Sequence, residues 1–259
     1  MKMRAVPLGQ SGLVLGGSEP LACVPIVAAD IAATLGLAAT IRAHDPVPDL
    51  VELRADYLAP LSPADLTATL RQLREALGAQ MPILFTNRSS AEGGAGHWPE
   101  DERLASFIAA IDSGAVALID IERFAVPAAL REQIAARAAQ QDIGVIISAH
   151  NFSATPDYDG LLGLFNALVR SGANIGKLAV MAQSPDDALR LLRTSAQWAK
   201  KTPIPLIIIA MGPVGTITRL AGPFFGSALS YATIGPPSAP GQVPLTLLRD
   251  YWRVAGLRR

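Results

Sequence analysis

Eight short apolar runs recur along the chain, each bounded by glycine or proline and most followed by apolar residues at helical spacing. They cover residues 21–27, 50–57, 81–88, 115–122, 144–152, 174–181, 205–211 and 227–234. Continuous runs of this kind suit strands buried on both faces of a parallel sheet. Between them, Leu66, Leu70, Leu73 and Leu77 keep helical spacing behind Ser62-Pro63, a cap followed by proline in the first turn. Ser184-Pro185-Asp186-Asp187 repeats that signature with acids in the first turn. Further helices are predicted over 100–113, 126–141, 157–171 and 245–255, while the segment 215–222 is short. The pattern predicts an α/β fold: a single (β/α)8 TIM barrel over residues 1–259, one catalytic domain. Residues 1–20 are expected to form a hairpin, centred on 6–18, that caps the barrel.

Polar positions interrupt these runs with a regular parity. The second run offers Glu52, Arg54 and Asp56, and the third Thr86 and Arg88. Asp120 and Glu122 follow in the fourth, Ser148 and His150 in the fifth, and Lys177 in the sixth. Alternate strand residues point inward, and barrel active sites lie at the C-terminal strand ends. The set therefore predicts one polar, charge-balanced pocket, in which carboxylates and arginines neutralise one another. An internal structural ion-pair network is the competing explanation.

Lys177 stands inside the apolar stretch Asn174-Ile-Gly-Lys-Leu-Ala-Val-Met181. Lysine is rarely buried without a partner or a task. One reading is a stem packed on the core with its head in water. The other is a desolvated amine that attacks a carbonyl and forms a Schiff base. His150 ends the preceding strand, so an imidazole stands on the same wall to shuttle protons beside an imine electron sink. Residues 235–242, Gly-Pro-Pro-Ser-Ala-Pro-Gly-Gln, suit a lid over the mouth, although an ordinary turn has the same composition.

Composition narrows the classes of function. Half of the residues are hydrophobic and 17% are charged, 22 basic against 22 acidic, so neither a basic field for nucleic acid nor an acidic tail is present. Cys23 is the one cysteine, which excludes an internal disulfide and a cysteine metal cluster. No His, Asp or Glu spacing suggests a metal site. Lys2 and Arg4 precede a glycine-broken segment, and Asp30, Pro25 and Gly36 interrupt the apolar stretch 20–41. A soluble, unprocessed, cytoplasmic protein is expected rather than a membrane span or leader.

The chain resembles type I 3-dehydroquinate dehydratase, the Schiff-base enzyme of the shikimate pathway. The resemblance is carried by Glu52-Leu-Arg-Ala-Asp56, Phe85-Thr-Asn-Arg-Ser89 with Glu92-Gly-Gly, Ile119-Asp-Ile-Glu122, and Ser148-Ala-His-Asn-Phe152. It continues through Thr155-Pro156, Gly176-Lys-Leu-Ala-Val-Met181, Met211-Gly212, Thr218-Arg-Leu220, Phe225-Gly-Ser227 and Ser238-Ala-Pro-Gly-Gln242. It implies cofactor-free dehydration of 3-dehydroquinate, with Lys177 forming the imine and His150 as general acid and base beside Glu92. By the same resemblance Glu52, Arg54 and Arg88 hold ring hydroxyls, Arg219, Ser238 and Gln242 hold the carboxylate, Met211 packs near the imine, and two copies form a homodimer. Asn87, Ala149, Asn151 and Tyr231 depart from the common pattern, Tyr231 standing where phenylalanine is frequent. Asn151 is expected to alter how His150 is oriented or protonated.

Two other functions share these features. A class I aldolase uses the same barrel and lysine, with Gly212-Pro-Val-Gly215 as its phosphate cradle. A non-catalytic relative would bind shikimate-type ligands without turnover.

Overall fold

The computed structural model describes residues 4–258; Lys2, weighed above as part of a leader, lies outside them. A hairpin comes first, with β1 (Val6–Pro7) antiparallel to β2 (Val14–Leu15). Eight parallel strands follow: β3 (Leu21–Ile26), β4 (Leu50–Arg54), β5 (Ile83–Thr86), β6 (Leu118–Glu122), β7 (Gly144–Asn151), β8 (Ile175–Met181), β9 (Leu206–Met211) and β10 (Leu229–Thr233). Each pairs with the next up to β9, and β10 pairs back onto β3. A parallel bridge between Leu206 and Ser227, with Ala228 N–H donating to the Leu206 carbonyl at 2.7 Å, spans the seam between β9 and β10.

Eight helices cover the outside: α1 (Ile31–Ala43), α2 (Pro63–Leu77), α3 (Glu100–Asp112), α4 (Ala128–Ala139), α5 (Tyr158–Val169), α6 (Pro185–Ala199), α7 (Thr216–Ala221) and α8 (Leu245–Val254). Their starts follow local chemistry. Ser62 and Ser184 accept from the backbone of Asp65 and Asp187, and Asp187 returns a bond to the Ser184 N–H, closing a capping box. A two-residue strand, β11 (Val243–Pro244), was not foreseen. It adds to the C-terminal end of β10 and lies outside the apolar periodicity.

Alternation sorts the strand residues between two cores. Val51, Leu53, Phe85, Ile119, Ile121, Ile147, Leu178 and Val180 face outward under the helices. Leu21, Leu50, Leu84, Leu118, Ile146, Ile175, Ile207 and Leu229 fill the interior, in one cluster with Val6, Leu8 and Leu15 of the hairpin segment. Moving two residues along each strand from that apolar layer reaches Cys23, Glu52, Thr86, Asp120, Ser148, Lys177, Ile209 and Tyr231. The barrel is thus dry at its N-terminal end and predominantly polar at its C-terminal end.

Candidate active site

The polar end opens into a cleft lined by Glu52, Arg54, Arg88, Glu92, His150, Lys177, Met211, Arg219, Tyr231, Ser238 and Gln242. All ten sequence-predicted site residues are among them. A larger groove of about 900 Å³ lies at the other end, between the hairpin and the strand-entry loops, and contains none of these residues.

Lys177 projects inward from the middle of β8 and is 5% exposed. Its Nζ donates to Asp120 Oδ2 at 2.8 Å and to Tyr231 Oη at 3.0 Å, with Glu52 Oε1 at 3.7 Å. Asp120 also takes Arg88 at 2.8 Å, and Ser148 links the pair by accepting from Arg88 and donating to Asp120. Burial opposes the Asp120 charge, but Arg88 and Lys177 outweigh it and hold the carboxyl far below the usual range. The Arg88 guanidinium is kept ionised against its burial by Asp120, Glu122, Glu52 and Glu92. Lone charges would be too costly here; this set neutralises itself.

Glu122 departs from the parity reading. It is absent from the cleft lining and accepts from the backbone of Ser89 at 2.6 Å and from Arg103 of α3 at 3.0 Å. It fixes the loop after β5 rather than facing the cleft. Asp56 likewise leaves the strand, in a 3₁₀ turn (Ala55–Tyr57), and grips Arg54 through two bonds of 2.8 Å.

His150 is oriented from the far side by Glu92. The Glu92 Oε2 atom stands 2.8 Å from the ring Nδ1 and accepts the His150 backbone N–H at 3.1 Å. Burial, with Arg88 and Lys177 close by, pushes the imidazole well below its ordinary pKa and keeps it neutral at pH 7. A carboxylate at Nδ1 selects the tautomer with the proton on that nitrogen, which leaves Nε2 as a free base. Glu92 itself is raised to about 7, mainly by burial and against the pull of Arg88.

The loop that delivers Glu92 depends on Gly93-Gly94. Gly93 has φ +82°, and a Cβ there would lie 2.3 Å from the Phe152 ring. A Cβ on Gly94 would stand 2.0 Å from the Arg88 carbonyl, a clash with backbone that no rotamer relieves.

The opposite wall is cationic. Arg219 of α7 is 2% exposed, gives one bond to the Pro240 carbonyl at 3.0 Å, and leaves its buried Nε–H without a partner. No carboxylate among the described residues pairs with it, and burial lowers it to about 10. A guanidinium fork in this state is a receptor for an anionic group. Ser238 and Gln242 stand beside it and bond each other through the Gln242 Oε1 and Nε2 atoms at 2.8–3.2 Å.

Three of the four unusual positions resolve simply. Asn151 caps the turn after β7, its Oδ1 accepting from the backbone of Ser153 and Ala154, and its side chain gives His150 no hydrogen bond. Asn87 and Ala149 face outward, Asn87 bonding Ser106 of α3. Tyr231 alone enters the site.

The model of "Type I 3-dehydroquinase" matches residues 22–258 of the chain. A 3-dehydroquinate dehydratase of Aromatoleum aromaticum is 40% identical over 93% of this chain and 92% of its own length. The crystal structure of 3-dehydroquinate dehydratase from Geobacillus kaustophilus superimposes with a TM-score of 0.90 at 35% identity, covering 98% of this chain and 96% of that one. A type I 3-dehydroquinate dehydratase from Clostridium difficile, described with covalently modified comenic acid, gives 0.91 at 30% identity, with 98% of both chains covered.

Proposed function

The chain belongs to the type I 3-dehydroquinase family and dehydrates 3-dehydroquinate to 3-dehydroshikimate, and we propose that it does so through an imine on Lys177. The observation that carries this reading is the buried Lys177 amine, held by Asp120 beside a neutral His150 in one cleft.

The steps follow from those groups. The Lys177 ammonium passes a proton to His150 Nε2, and the amine so freed attacks the substrate's C3 carbonyl. Loss of water from the carbinolamine, with a proton returned by His150, leaves an iminium beside the Asp120 carboxylate. The iminium draws electrons from the neighbouring carbon, so His150 can take the C2 proton. The enamine then expels the C1 hydroxyl, which leaves as water with the proton His150 has just acquired. Hydrolysis of the product imine returns Lys177 and releases 3-dehydroshikimate; one water is lost in the balance.

Arg219, Ser238 and Gln242 form the carboxylate end of the cleft, and the partnerless Arg219 Nε–H supports that assignment. Glu52, Arg54 and Arg88 face the ring hydroxyls, and Met211 lines the cleft near Lys177. Residues 235–242 act as the lid over one catalytic domain. The protein works as a homodimer of 27.1 kDa chains in the cytoplasm, with solution mass as the check on assembly. No helix among the described residues is long and apolar enough to cross a membrane.

The test is turnover, read from the ultraviolet absorbance of the conjugated enone product. Lys177→Ala is expected to abolish it, and His150→Ala to lower kcat by about 10²–10⁴. Full activity in Lys177→Ala would refute the imine reading.

A further inference from the structure

We propose that Tyr231 is a positioning residue for the Lys177 amine: with Asp120 it fixes two of the nitrogen's bonds, so that the third points into the cleft. The proposal rests on the reading of Lys177 as the imine-forming residue. A tetrahedral Nζ has three directions besides its own carbon. Asp120 Oδ2 at 2.8 Å and Tyr231 Oη at 3.0 Å occupy two of them. The other carboxylate nearby, Glu52, has its Oε1 3.7 Å away and already accepts from Thr86 Oγ1 at 2.8 Å. When the ammonium gives up a proton, two N–H groups stay with Asp120 and Tyr231. The lone pair is left in the third direction, where a carbonyl carbon can meet it.

Tyr231 is built to hold that place. It is 4% exposed, projects inward from β10 beside Cys23 of β3, and has its ring centroid 4.6 Å from Nζ. Lys177 is the hydroxyl's only hydrogen-bond partner among the described residues. Burial, with Glu52, Cys23 and Asp120 nearby, keeps the phenol neutral. A neutral acceptor orients an N–H without adding a second anion that would hold the proton on nitrogen. Phenylalanine in its place would offer the ring and no acceptor. An iminium keeps one N–H at most, and Asp120 can take it. The Tyr231 contribution is therefore confined to making and breaking the imine.

Tyr231→Phe removes one oxygen, keeps the ring over Nζ, and leaves the ammonium its bond to Asp120. The experiment is rapid-quench borohydride trapping with saturating 3-dehydroquinate on the parent and on Tyr231→Phe, with KM and Tm recorded. The expected result is adduct on Lys177 forming about five- to tenfold more slowly, the scale of one lost hydrogen bond. KM should stay within about twofold and Tm within a few degrees, as for an interaction used only on the way to the covalent state. An adduct rate equal to the parent's overturns the role of Tyr231 alone. A slowed rate with an equal rise in KM assigns the hydroxyl to substrate binding and overturns it too, as does a slowing explained by loss of folded protein. An active parent that yields no adduct overturns the reading of Lys177 itself.

Discussion

At the residue scale, the site separates two jobs that a single charged pocket would confuse. Asp120 and Arg88 are paired and buried, so their charges are fixed, and His150 is held neutral; Glu92 is poised to change state. Glu92 has a raised value, so its protonated form dominates below about pH 7 and its carboxylate above. The carboxylate is the form that holds the Nδ1 proton and frees Nε2. Activity is therefore predicted to fall as pH drops through about 7, and Glu92→Gln should lower kcat and remove that acid limb. A pH–kcat profile checks it, and an unchanged limb in Glu92→Gln would place the titration elsewhere. Much of this was legible in the sequence. Strand parity alone put Glu52, Arg88, His150 and Lys177 on one inner surface. It could not supply which charges meet, because partnering depends on the register between strands. Asp120 was recognised as inward but not as the partner of Lys177, and Tyr231 only as a departure. Arg103, which ties up Glu122 from a helix outside the barrel, left no signal in the strands at all.

At the scale of elements, the loop 235–242 is fastened down through its own backbone carbonyls. Gly212 N–H donates to the Pro240 carbonyl at 3.4 Å, and Thr216 Oγ1 donates to the Gly241 carbonyl at 3.3 Å. Gly241 has φ +78°, and a Cβ there would lie 2.4 Å from the Gly212 carbonyl oxygen. Gly241→Ala is expected to lift the loop and with it Ser238, Gln242 and the Pro240 carbonyl that anchors Arg219. KM should rise about tenfold, the scale of one charge-assisted contact, with kcat falling less. Steady-state kinetics decide this, and an unchanged KM would mean the loop does not help hold substrate. The sequence marked this loop by its glycines and prolines, and the helix starts by their caps. It did not mark β11, since a strand of two residues carries no period of its own.

At the scale of the whole molecule, the end of the chain is tied to its beginning below the barrel. Asp49, at the entry of β4, accepts from the Ala22 backbone at 2.7 Å and from Arg258 at 2.6 and 2.7 Å, and forms an ion pair with Arg249 at 3.0 Å. The arginines keep 23% and 13% side-chain exposure, so the charges are partly screened. Asp49→Ala is expected to cost about 1–3 kcal/mol, seen as a lower Tm, with kcat unchanged because the cluster lies at the opposite end from the cleft. A wild-type Tm would show the clasp to be inert. The division of the barrel into a dry end that carries stability and a wet end that carries chemistry was legible from alternation. The clasp was not, because Asp49 and Arg258 are 209 residues apart and neither belongs to a motif.

Lys177 Nζ is the atom proposed to carry the substrate. Borohydride reduction during turnover of 3-dehydroquinate, followed by peptide mass spectrometry, tests it directly. A substrate-derived mass on the peptide containing Lys177, absent from Lys177→Ala, is the predicted result. An active enzyme that yields no adduct, or one modified at another lysine, would contradict it.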